Sequence, residues 1–142
     1  MLDATLSQDP LKVMFVEYLE AEFIARTCFE VIRAIDVAAG QYRLQEWDRA
    51  QEWERDEVRD LVRFAVADPD GTAHTLHLSW MTARKADGWS YGPYRADAKG
   101  KTHPNLDAFY VLPEREVAKF YAVKAVVRAL RNPHRSTLQG TA

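Results

Sequence analysis

Apolar positions along the chain fall into four groups at helical spacing. "SQDPLK" reads as a helix start: Asp9 can accept from free backbone N–H groups and Pro10 suits the first helical position. Leu11, Met14, Phe15, Tyr18 and Leu19 follow at three- and four-residue intervals. A second set, Ile24, Cys28, Val31, Ile32 and Ile35, is slightly out of phase, which predicts one bent helix or two abutting ones, ending near Gly40. "QYRLQEWDRAQ" reads as a loop, and Asp48 with Gln51 resembles a capping box opening a helix from about Ala50 to Ala67. Val58, Leu61, Val62 and Ala65 form its inward face. "DPDG" at 68–71 is a stop and turn, and a third helix is expected from about Ala73 to Ala86 with Gly88 as its C′ residue. The stretch 89–104 is too rich in Gly and Pro for helix and predicts short extended pieces around a turn at Asp97–Gly100. "LPERE" opens a last helix, Glu114 to about Arg131, with Val117, Phe120, Val123, Val127 and Leu130 recurring. The expected fold is mainly α: one domain of about four helices over residues 1–131, with short β strands between the third and last. A disordered tail is expected at 132–142.

Composition narrows the classes. A chain of 142 residues with 47% hydrophobic and 28% charged residues fits one ordinary globular domain. A net charge of -2 argues against general nucleic-acid binding. No apolar run approaches the ~20 residues that span a bilayer. The N-terminal stretch lacks the pattern of a signal peptide. Cys28 is the single cysteine, so no internal disulfide can form, and a reducing cytoplasm is the expected compartment. Cys28 sits on an apolar helix face and reads as a buried thiol.

Familiar catalytic chemistries find no footing. "GKT" at Gly100–Thr102 lacks the upstream glycine of a phosphate loop. His74 and His77 lack further metal ligands at ordered spacing and read as surface or hydrogen-bonding residues. The pairs Asp56/Glu57 and Glu114/Glu116 fit solvated helix faces. No catalytic residue, metal or cofactor is assigned, and an enzyme is not the expected reading.

The distinctive segment is "HLSWMTARKADGWSYGPYRADAKGKTHP", residues 77–104. Aromatic faces stand beside a Gly- and Pro-rich turn, ringed by Arg84, Lys85, Arg95, Lys99, Lys101 and His103, a combination suited to a flat base carrying phosphates. The plainer alternative makes both tryptophans core residues. The segment resembles the RyR domain, the repeat of ryanodine receptors, which also occurs as a stand-alone domain in bacteria and phages. The matching residues are His77…Trp80, Gly88-Trp89-Ser90-Tyr91-Gly92-Pro93, the basic Lys99 and Lys101, His103-Pro104, and Leu112-Pro113. "IARTCFEVIRA" and "EWERDEVRDLVRFAVADPD" resemble the first two helices of bacterial members, so the likeness covers about residues 20–131. Phe29, where many members have His, and "NLDAFYV" depart from the pattern.

The resemblance implies a helical, non-enzymatic module binding a nucleotide-like, adenine-containing molecule. Trp80 would stack on the base, His77 would stand beside it, and Trp89, Tyr91 and Pro93 would shape the wall. Arg84, Lys99, Lys101 and His103 would lie near the phosphates. Trp89 is expected to pin the core and Trp80 to face ligand. Receptor repeats come in pairs, so a single copy implies a possible homodimer bringing two Trp80 rings together. The rival reading is a protein-interaction module using the aromatic patch around Trp80 and Trp89.

Overall fold

A computed structural model describes residues 9–96 and 100–131. Four helices carry the fold: α1 (Pro10–Ala38), α2 (Glu52–Ala67), α3 (Ala73–Ala86) and α4 (Glu114–Leu130). Between α3 and α4 lie two two-residue strands, β1 (Ser90–Tyr91) and β2 (Thr102–His103), paired in parallel with Ser90 opposite Thr102. The fold class expected from the pattern is the fold observed. Among the described residues no helix is long and apolar enough to cross a membrane.

The first two apolar sets belong to one continuous helix. Asp9 caps it, its carboxylate accepting from the Leu11 N–H at 3.0 Å. The second set does the packing: Ile24, Cys28 and Ile32 are buried, together with Ala25 and Phe29. The first set, by contrast, is exposed along its whole length. The capping box falls three residues later than expected. Trp47–Arg49 forms a short 3-10 turn that buries Trp47, and Gln51 caps α2 while the Glu54 carboxylate accepts from the Gln51 N–H at 3.1 Å. All four inward residues expected of α2 are buried. In α4, Phe120, Val123 and Val127 are buried, Val117 is half-buried, and Leu130 lies exposed at the end. A further tie joins α1 to α2 through Arg59, which donates to both Glu22 oxygens and lies over the Trp47 ring.

Helix α3 ends as its sequence predicts. Gly88 has φ +89, its N–H bonds to the Lys85 carbonyl, and the Trp89 N–H reaches back to Arg84 at 2.9 Å. This is the six-to-one closure of a Schellman motif, and it turns the chain sharply into β1. A Cβ at Gly88 would meet nothing closer than Lys101 Cδ at 3.9 Å, so the constraint is the backbone angle alone. Gly88→Ala is therefore expected to destabilise by ~1 kcal/mol. Denaturant unfolding of the two proteins checks this, and equal midpoints would rule the cap out.

Gly92 has a different reason. A Cβ there would sit 2.6 Å from the Thr102 Cβ, so the approach of the two strands admits only glycine.

Candidate functional site

A cleft of about 630 Å³ is bounded by α1, α2, α4 and the residues Pro93, Arg95 and His103–Asn105. Its apolar floor is made by Phe29, Trp80 and Phe120, and Trp53 supplies a half-buried aromatic wall. Around this floor stand charged pairs. Arg43 donates to Glu54 at 3.1 Å, and Arg95 Nη1 donates to both Glu57 oxygens at 3.0 Å. Lys119 bridges Asp36 at 2.7 Å and Glu116 at 2.8 Å, and Arg115 contacts the same two carboxylates. Each of these four cations thus already meets a carboxylate, and the lining is close to neutral in net charge.

Helix spacing explains this arrangement. Glu54, Glu57, Val58 and Leu61 recur at three and four on α2, and Arg115, Glu116, Lys119 and Phe120 do so on α4, so each helix turns one mixed face to the cleft. Burial pushes the Glu116 carboxyl up, but hydrogen bonds from Lys119, Asn105 and Arg115 outweigh it and hold the pKa down at about 2. The second member of each acidic pair therefore leaves the solvated face expected for it: Glu57 and Glu116 face the cleft, while Asp56 and Glu114 are exposed.

Of the site residues expected from sequence, Trp80, Pro93, Arg95 and His103 line the cleft. Trp80 is not an open face. It is 3% exposed, its ring edge-on to His103 at 5.0 Å and packed against Phe120 at 6.3 Å. Burial also reverses the expected order of the tryptophans, since Trp89 is only half-buried and lies beneath the Arg84 and Arg95 guanidiniums. The cause is helix phase: Ala73, Leu76, His77 and Trp80 share the inward face of α3, whereas Trp89 follows the turn that leaves it.

His103 is held neutral instead of serving as a cation. Burial pushes its pKa down to about 4 against the pull of Glu57, and Nδ1 accepts from the Asn105 N–H at 3.0 Å, which leaves Nε2 protonated and 4.0 Å from Glu57. His77 stands behind the wall and does not line the cleft. It is 1% exposed, burial lowers its pKa, and its Nε2–H donates to the Asn105 carbonyl at 2.8 Å. The Asn105 side-chain amide then donates to Glu116 at 2.8 Å. His77 therefore orients a cleft residue from one layer back.

The remaining expected residues lie elsewhere. Arg84 pairs with Asp60 at 3.4 Å. Lys101, at φ +45, donates its amine to the Asp87 carbonyl at 2.9 Å and so serves the end of α3. Tyr91 is 58% exposed and outside the cleft lining. Lys99, with most of the expected turn, lies outside the described residues. Cys28 is buried as expected, its thiol pushed up to about 12 by burial. His74 is exposed and stacks on Phe109.

The residues missed were Trp53, Arg43, Asp36, Arg115 and Lys119. Trp53 and Arg115 sit inside quoted segments that did not mark them as lining; Asp36 and Lys119 are marked only by periodic placement beside inward apolar positions, and Arg43, in the loop before α2, by nothing. No model of a known protein family matches the chain, and no solved structure matches it. The likeness to RyR repeats rests on the motifs quoted above.

Proposed function

We propose that this chain is a non-enzymatic module that binds a small planar molecule of the nucleotide kind in this cleft. The observation that carries the reading is the cleft's construction: an aromatic floor of Trp80, Phe29 and Phe120 ringed by convergent polar groups. Its volume falls within the ~300–1,000 Å³ typical of small-molecule sites. The adenine base comes from the resemblance to RyR repeats. The paired lining suits the uncharged base, because a phosphate driven among these cations would have to displace carboxylates that already hold them. Phosphates therefore belong at the rim, where Arg43 keeps 65% of its side chain exposed. The contact for the base is Trp53, one face of which is covered by the Arg95 guanidinium at 4.2 Å from the ring centroid, so the base takes the other face, over a floor that Trp80 lines.

The protein-interaction alternative loses Trp80 to the interior but keeps Tyr91 and Tyr94, which are 58% and 80% exposed. A thermal-shift series with adenosine, AMP, ADP and ATP separates the two. An adenine ligand at 100 times its dissociation constant is expected to stabilise by about 2.7 kcal/mol. Trp53→Ala, at a half-buried position, is expected to fold and to lose the shift. No shift with any of the four compounds would move the weight to a protein partner on the tyrosine surface.

A further inference from the structure

The first half of α1 is an overhang. None of the residues from Pro10 to Phe23 is buried, although Leu11, Val13, Met14, Phe15, Val16, Tyr18, Leu19 and Phe23 are all large and apolar. One stripe runs the whole helix at alternating three- and four-residue steps: Leu11, Met14, Tyr18, Ala21, Ala25, Cys28, Ile32. This is the spacing of a helix-on-helix seam. The domain itself covers the second half of the stripe, Ala25, Cys28 and Ile32, and leaves the first half in solvent. The pattern thus asks for a helical neighbour along a further 14 residues, about 21 Å of helix.

We propose that this overhang docks antiparallel on the overhang of a second copy of the chain, with Leu11 against the partner's Ala21 and Met14 against the partner's Tyr18. Three observations select this occupant. Antiparallel pairing about Val16 sets a large side chain on a small one at both ends and a flexible Met14 on a Tyr18 ring at the centre, which fills the seam evenly. It also ends at Ala21, just before the stripe passes under its own domain. A parallel pairing would drive the two domains into the same space, whereas the antiparallel one sends them to opposite ends. The contact is small: Leu11, Met14, Tyr18 and the flanking Phe15 keep 61% to 76% of their surface and, at roughly 150–200 Å² each, offer on the order of 450 Å² per copy. That is below the ~800 Å² per partner of a stable interface, so the pair is a weak, concentration-dependent one. The seam is remote from the cleft residues, so this pairing stands or falls independently of the ligand reading.

The test is sedimentation equilibrium of the full chain with four variants at exposed positions, where folding is not at stake. The native protein is expected to approach twice its 16.3 kDa mass as its concentration is raised. Tyr18→Lys, in the stripe, is expected to weaken association roughly 30-fold or more. Phe23→Lys, on the opposite side of the helix, is expected to leave it unchanged. Met14→Cys with Tyr18→Cys in one chain should give a covalent dimer on oxidation, and Met14→Cys alone should not; the buried Cys28 does not compete. A native monomer at every concentration would overturn the proposal. So would a Tyr18→Lys dimer as tight as the native one, or efficient cross-linking through Met14→Cys alone, which would indicate a parallel pair.

Discussion

Replacing Trp80 by alanine is expected to cost ~3–5 kcal/mol, the range for truncating a large buried aromatic. The ring is 3% exposed and touches His77, His103 and Phe120, so its loss opens a hole where α3, α4 and the cleft wall meet. Trp89→Ala is expected to cost clearly less, because the half-buried indole is replaced partly by water and its guanidinium neighbours keep their Asp60 and Glu57 partners. Denaturant unfolding of the two variants with equal slopes gives the comparison directly. Equal losses would mean that Trp89 anchors the turn as firmly as Trp80 fills the core.

Lys119→Met is expected to have a comparable effect at neutral pH, ~3–5 kcal/mol, for a different reason. The side chain keeps its length, but Asp36 and Glu116 lose the ammonium between them, and their side chains are only 12% and 15% exposed. Arg115 remains, at 3.6 Å from one and 3.0 Å from the other. The pH dependence identifies the cause. Glu116 has its pKa lowered from 4.5 to about 2, so the stability it contributes is fully present above 4.5 and is lost as pH falls toward 2. Native and variant stabilities should therefore converge on acidification. A gap as large at pH 2.5 as at pH 7 would show that packing, not charge, was lost.

Helix boundaries and inward faces were readable because they are local. Proline at the first turn, glycine at φ > 0 and three–four periodicity act within a few residues, and Asp9, Gly88 and the Val58–Ala65 face all stand where those rules put them. The cleft was legible only in part. Trp80 and His103 could be singled out by motif, but whether an aromatic faces a ligand or the core depends on how α3 is rotated against α4, and that is fixed by long-range packing. The charged residues were misplaced for a related reason. A Glu beside a Lys at helical spacing has the same signature on a wet face as in a paired lining, and only contacts such as Lys119 to Asp36, 83 positions apart, distinguish them. The exposed first half of α1 is the converse case. Its periodicity was plain, but periodicity announces that a face will be covered without saying by which chain.

The outer wall of the cleft hangs on a very short ladder. Ser90 donates to the Lys101 carbonyl at 3.0 Å, Gly92 to His103 at 3.4 Å, and Ala96 and Thr102 exchange a pair of bonds at 3.0 Å. The helices beside it are closed by continuous bonding and buried apolar faces, so the two parts differ in the free energy needed to open them. The amide protons of Ser90, Gly92, Ala96 and Thr102 are therefore expected to exchange with solvent at a lower free energy of opening than those of the helical frame. The His77 bond to the Asn105 carbonyl ties the far end of that wall back to the frame.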